Sequence, residues 1–282
     1  MNRMQPFFGD RDDPLEAAAP QRAGAHAAQS HLAGPHFAVP RGDASEVEAG
    51  RFRAGAGSAL FAPLHYEPNY AYPLIVWLHG ANDDERQLKR IMPFVSLRNY
   101  AAVAPRGTVA PDEAAGRLGC SWSQSEDHIL LAEHRALEAV AEARRQWNIH
   151  SDRVYLAGFG AGGTMAFRLA LNLPRYFAGA ISINGPFPTG LRPLAQLQAV
   201  RRLNFLLASG RDSGHYPPPA VCSDLRLIYA AGMSISLRQY PCGDDLTTHM
   251  LADVDRWIMQ QIATPVVAAE NRAQPRAGGS LD

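Results

Sequence analysis

Cysteine is scarce in this chain, neither sign of charge is in excess, and no long apolar run occurs anywhere in its 282 residues. Each shortage excludes something. Cys120, Cys222 and Cys242 form no C-x-x-C pair and have no histidine at metal-ligand spacing, so no disulfide framework and no structural metal is expected. Reduced thiols in a cytoplasmic protein are the simple expectation, with a Cys222 to Cys242 bridge left open. Lys plus Arg number 27, as do Asp plus Glu, so no net field draws the chain to nucleic acid or to an anionic membrane, and neither is expected as a partner. The longest apolar strings, such as "LIVWL", fall far short of the roughly 20 residues that span a bilayer. The opening "MNRMQPFFGDRDDPLEAAAP" is broken early by Asp and Pro and holds no apolar core of a signal peptide.

Apolar residues are nevertheless plentiful enough, at 46%, for one sizeable core. They are concentrated between two ends of different composition. Residues 1–45 are rich in Ala, Gly, Pro, Gln and His without periodicity and read as a disordered arm, and the tail 264–282 reads the same way. His26, His31 and His36 in that arm fit no compact metal motif. Residues 46–263 form the single expected domain. Within it "YPLIVWLHG", "YAAVAP", "RVYLAG", "AGAISIN", "NFLLAS" and "SISLRQY" read as strands, several of them unbroken apolar runs suited to burial on both faces. Helical segments alternate with them, including one that begins near Ser123 or Ser125 and turns Ile129, Ala132, Ala136, Val140, Ala143 and Trp147 to one side. The alternation predicts an α/β fold with a mostly parallel central sheet and helices on both faces.

The most informative stretch is "AGFGAGG", residues 157–163, where a strand runs into a turn and a helix. Gly158, Gly160 and Gly163 satisfy G-x-G-x-x-G, which raises dinucleotide binding as one reading. That reading requires an acidic residue at the end of the next strand, and "AGAISIN" ends instead in Asn184 and Gly185.

The ensemble of motifs resembles the α/β-hydrolase superfamily and, within it, the phospholipase/carboxylesterase family that includes acyl-protein thioesterases. "PLIVWLHGAND" is similar to that family's strand followed by His-Gly, and "VYLAGFGAGGTMAFRLALNLPRYFAGAISINGPFP" to its elbow, helix and next strand. "LLASGRDSGHYP" resembles the strand ending in the triad acid, and "YPCGDDLTTHMLADVDRWIM" the segment bearing the triad histidine. The resemblance covers about residues 58–262 and implies an α/β-hydrolase fold and carboxylic-ester hydrolysis with no cofactor.

Two positions depart from that pattern. Gly160 stands at the nucleophile place of G-x-S-x-G, and Asp244 stands where the general base belongs. The resemblance places the triad acid at Asp212 and the oxyanion-hole N–H groups at Ala81 and Ala161. Acyl transfer by this route needs an attacking oxygen and an imidazole to take its proton, and only the carboxylate is left. His249 is expected on the polar face of the last helix, while His79 and His215 are expected near the former site in structural roles. Cys120 and Ser121, on a long loop, lack a recognisable base. The sequence therefore predicts a pseudoenzyme that keeps a pocket for a small acyl or ester ligand. The alternatives are an esterase with a non-standard nucleophile or base and, more remotely, a dinucleotide-binding protein.

Overall fold

A computed structural model describes residues 52–54 and 57–263, so the expectations for residues 1–45 and 264–282 fall outside the described residues. In chain order the elements are β1 (Phe52–Ala54), β2 (Ser58–Phe61), β3 (Tyr72–Leu78), α1 (Gln87–Val95), β4 (Ala101–Pro105), α2 (Glu126–Gln146), β5 (Ile149–Phe159), α3 (Ala161–Asn172), β6 (Gly179–Ile183), α4 (Leu197–Val200), β7 (Asn204–Gly210), α5 (Pro218–Ala230), β8 (Ser234–Tyr240) and α6 (Thr248–Ala263). The eight strands form one sheet in the order β1-β2-β4-β3-β5-β6-β7-β8. β4, β3 and β5 through β8 run parallel, and β2 pairs antiparallel with both β1 and β4.

Strand periodicity divides the core in two. Along β3 the side chains of Leu74, Val76 and Leu78 enter one apolar cluster, and those of Ile75 and Trp77 enter the other. The first cluster lies under α2, α3 and α5, the second under α1 and α6. This is why the strands read as continuous apolar runs: all seven residues of β3 and all five of β6 are buried. α2 starts at Glu126 with Ser125 as its N-cap residue, but neither Ser123 nor Ser125 caps it through its side chain. Ser123 Oγ bonds Ser125 instead. Its apolar face falls as the spacing predicts, with Ile129, Ala132, Ala136, Val140 and Ala143 buried. In α6 Met250, Leu251, Val254, Trp257 and Ile258 point inward, and His249 is exposed. Among the described residues no helix is long and apolar enough to cross a membrane, and the three cysteines are free.

The topology fixes where a site can form. β3 continues into α1 on one face, whereas β5, its neighbour in the sheet, continues into α3 on the other. Chains that diverge to opposite faces leave a crevice at the carboxyl ends of their strands, where open α/β sheets place ligands. The residues at those strand ends are His79 to Ala81 after β3 and Gly160 to Ala161 after β5.

Candidate functional site

The elbow between β5 and α3 turns on a single residue. Gly160 has φ 53° and ψ −119°, a backbone conformation that side chains with a Cβ rarely adopt. Its N–H donates to the Ile183 carbonyl of β6 at 2.8 Å, and its carbonyl accepts from Thr164 N–H at 3.0 Å, so strand and helix are tied through it. A Cβ built on Gly160 would meet no atom within 4 Å, so the place a nucleophilic side chain would take is open. The flanking glycines serve close approach instead: a Cβ on Gly162 would strike the Leu78 and His79 carbonyls, and one on Gly158 the Gly162 carbonyl. The helix start is thus pressed onto the end of β3.

Ala161 is the first residue of α3, and its N–H, like that of Ala81, has no acceptor among the described residues. Both residues are partly exposed. The unpaired donor of Ala161 adjoins the open seat at the positive end of a helix, a setting that suits a carbonyl oxygen or an oxyanion.

His79 has a structural role. It is fully buried, its Nδ1–H donates to the Gly80 carbonyl at 2.7 Å, and its Nε2 accepts from Gly107 N–H at 2.9 Å. Burial lowers its pKa below the ordinary histidine value, against the raising influence of the Gly80 carbonyl and of Asp83, Asp84 and Glu85. Both ring nitrogens are used, so the ring fastens the turn after β3 to the loop after β4. Trp122 closes the same corner by donating Nε1–H to the His79 carbonyl at 2.9 Å. Cys120 and Ser121 are likewise fastened, through bridges to Asp83 and Val109. Burial raises the Cys120 thiol, which leaves it protonated and a poor nucleophile.

Asp212 lies in the loop that follows β7. Its carboxylate is two-thirds exposed and lies 3.5 Å from Arg211. The next residue, Ser213, is buried and donates its Oγ–H to Asp244 Oδ1. Asp212 and Ser213 both follow the last residue of β7, and which of them turns inward depends on the loop backbone: Arg211 N–H donates to the Tyr240 carbonyl and Asp212 N–H to the Cys242 carbonyl.

Asp244 is a well-held carboxylate. Besides Ser213 Oγ it accepts from Gly214 N–H at 3.1 Å and His215 N–H at 3.2 Å, and His215 Nδ1 lies 2.9 Å from its Oδ2. Partial burial raises its pKa, but the hydrogen bonds from Ser213, His215 and Gly214 outweigh this and hold the group below the ordinary aspartate value. It is therefore ionised at neutral pH and cannot take up a proton as a histidine would.

Asn184 joins the two halves of the site. Its backbone is in the left-handed region, φ 52°, which asparagine tolerates better than most residues. It follows Ile183, the partner of Gly160, and its side chain reaches across to Gly210 N–H and to the carbonyls of Gly243 and Asp245. Asn184 was visible in sequence only as the end of a strand before a glycine, a turn signal that does not announce a clamp. The acidic residue that a dinucleotide ribose requires is absent there, and Asn184 is fully engaged.

A strand-turn-helix elbow at the switch point of a mostly parallel sheet, with paired loops after β7 and β8, is the arrangement of the α/β-hydrolase fold. Residues 67–192, a little under half of the chain, match the phospholipase/carboxylesterase family model. Among solved structures it is similar to Zea mays acyl-protein thioesterase 2, with a TM-score of 0.56, 17% identity, and coverage of 73% of this chain and 98% of that one. It is also similar to a carboxylesterase from Mesorhizobium loti, with a TM-score of 0.55, 21% identity, and coverage of 67% and 90%. Such identities show the fold alone. The curated NocK protein of Nocardia uniformis is 32% identical over 123 residues, 42% of this chain and 34% of its own length. A bifunctional acetylxylan esterase/xylanase of Neocallimastix patriciarum is 23% identical over 138 residues, 47% of this chain and 18% of its own. The chain thus spans about a third or less of the length of these curated relatives.

Proposed function

We propose that the protein has lost Ser-His-Asp hydrolysis and retains a site that binds a small acyl or ester ligand. The carrying observation is the elbow itself: Gly160 holds the strained turn with empty space where a nucleophile's Cβ would stand, next to the unpaired N–H of Ala161, and the Ala81 N–H is the second donor we assign to the site. Asp244, ionised and held by four hydrogen-bond donors, occupies the base position, so the two groups that must act together are both replaced. With respect to acyl-serine chemistry the protein is a pseudoenzyme. Its carbonyl-binding half is made of backbone and outlasts the loss of side chains. The free thiols fit a reducing compartment, and the balanced charge fits a ligand-binding role without nucleic acid or membrane partners.

The test is a serine-directed fluorophosphonate probe together with intact-mass analysis after incubation with short-chain activated esters. No label and no acyl adduct are expected. In parallel, a trifluoromethyl ketone, whose hydrate resembles the tetrahedral species, is expected to bind and to shift its ¹⁹F resonance. Covalent labelling of a serine overturns the loss of acyl-serine chemistry, and absence of ketone binding overturns the retained pocket.

A further inference from the structure

We infer that His215 and Asp244 form a positioned base that lets water, seated at Gly160, hydrolyse a bound carboxylic ester directly; this rests on the reading that the elbow still holds an acyl carbonyl. The family pattern puts an acid on the loop after β7 and an imidazole on the loop after β8. Here the two are exchanged. His215 is on the loop after β7, Asp244 is on the loop after β8, and they meet at 2.9 Å through Nδ1 and Oδ2. The carboxylate–imidazole pair is preserved as chemistry although neither residue is where the motif expects it.

The pair is built. Ser213 Oγ–H and the N–H groups of Gly214 and His215 fix the Asp244 carboxylate, which holds the imidazole proton on Nδ1. That leaves Nε2 as the basic nitrogen, and it has no partner among the described residues. Asn184 ties the Asp244 turn to the elbow, since it bonds Gly243 and Asp245 on either side of Asp244 and directly follows the residue that accepts from Gly160. The missing Cβ at Gly160 leaves a seat where a serine oxygen would otherwise stand.

In the step, a seated water gives a proton to His215 Nε2 while its oxygen bonds to the carbonyl carbon. The oxyanion is held by the N–H groups of Ala81 and Ala161. The bond to the alkoxy group then breaks, and that group leaves with the proton from Nε2. The products are a carboxylic acid and an alcohol, the imidazole is again neutral, and no acyl-enzyme forms. His215 is the catalytic residue and Asp244 a positioning residue.

The full-length protein is assayed with phenyl acetate, the reaction of buffer and free imidazole being subtracted. Turnover above that background is expected, falling by about 10² in His215→Ala, the lower end of what general-base assistance supplies. His215 is more than half exposed, so the variant is expected to keep its Tm. Added imidazole is expected to restore part of the lost rate in His215→Ala and none in the parent. Asp244→Asn lowers kcat with little change in KM. Equal rates in the parent and His215→Ala, or no turnover in the parent, overturn the inference. If the trifluoromethyl ketone still binds in either case, the retained pocket stands and only the base assignment fails. If it does not bind, both fail together.

Discussion

Asn184 Oδ1 accepts the Gly210 N–H at 2.7 Å, which ties the end of β6 to the end of β7 directly beneath the loops that carry His215 and Asp244. Both groups are buried, so the bond has no water to replace it. The same side chain donates to the Gly243 and Asp245 carbonyls at 3.4 and 3.3 Å. The elbow and the β8 loop are therefore held at a fixed separation by one amide.

Asn184→Ala leaves the buried Gly210 N–H unsatisfied and places an alanine in the left-handed region. A loss of about 2–3 kcal/mol is expected, read as a Tm lower by roughly 5–10 °C. Asn184→Asp keeps the acceptor for Gly210 but loses the two donated bonds. Its Tm is expected to fall less than that of Asn184→Ala, and ester turnover is expected to fall in both. A Tm unchanged in Asn184→Ala would show that the clamp contributes nothing.

The sheet and its helices were legible because their signals are summed over many residues. The unbroken apolar runs of β3 and β6 and the spacing from Ile129 to Ala143 required no knowledge of distant contacts. The elbow was legible as well, since a glycine cluster between strand and helix has few other uses. The path of the loop after β7 was not. Asp212 and Ser213 are adjacent in a loop, and the backbone bonds that turn Ser213 inward and Asp212 outward come from Tyr240 and Cys242, about thirty positions away. The His215–Asp244 pair was hidden for the same reason, because two loops must be brought together before either residue has a partner. The buried Arg168 was also missed. It stands in α3 with its guanidinium bonded to Gln124 and to the Thr189 and Gly190 carbonyls, a placement that helical spacing alone does not suggest.

Gly160 and Gly162, two residues apart, are glycines for opposite reasons, and the difference is measurable. Gly160→Ala adds a methyl group into open space but forces an L-residue to φ 53° and ψ −119°, a cost of order 1–3 kcal/mol with no clash added. Gly162→Ala drives a Cβ into the carbonyls of Leu78, the last residue of β3, and of His79, and backbone at both places leaves little room to yield. Its destabilisation is expected to reach about 3 kcal/mol, the upper range for overpacking. Urea midpoints should therefore rank parent, Gly160→Ala, Gly162→Ala from most to least stable, and the reverse order of the two variants would contradict the packing.

Asp253 joins α6 to β8. Its carboxylate accepts from Tyr240 Oη and lies 3.0 Å from Arg238, with Arg256 alongside. Burial pushes its pKa up, yet the Tyr240 bond and the two guanidiniums pull it below the ordinary 3.8. A depressed folded pKa means that the stabilisation is fully present above the unfolded value and is lost as pH falls through the folded value. Asp244 has the same sign. Stability is thus expected to hold down to about pH 4 and to decline below it. In Asp253→Asn the Tm at pH 6 should be lower, and the gap to the parent should narrow as pH falls below 4. A gap that stays constant from pH 6 to pH 2.5 would show that the carboxylate charge is not what the helix contact uses.

Gly160→Ser is the variant that joins stability to chemistry. The side chain enters a space that is open to at least 4 Å around its Cβ, so the change is limited by backbone strain, of order 1–3 kcal/mol, and not by a clash. The serine oxygen then takes the seat assigned to water, beside the Ala161 and Ala81 N–H groups. If the imidazole of His215 serves that seat, the serine gains a base in the same step that water is displaced. Fluorophosphonate labelling is expected in Gly160→Ser, absent in the parent and lost again in Gly160→Ser/His215→Ala. Phenyl acetate should then give a burst of phenol followed by a slower phase, because the acyl group now resides on the protein and the displaced water must re-enter to release it. Labelling that persists in the double variant would show that the serine is activated by another group and would remove His215 from the site. A Gly160→Ser protein that folds with the expected loss of stability yet never labels would place the imidazole out of reach of the elbow.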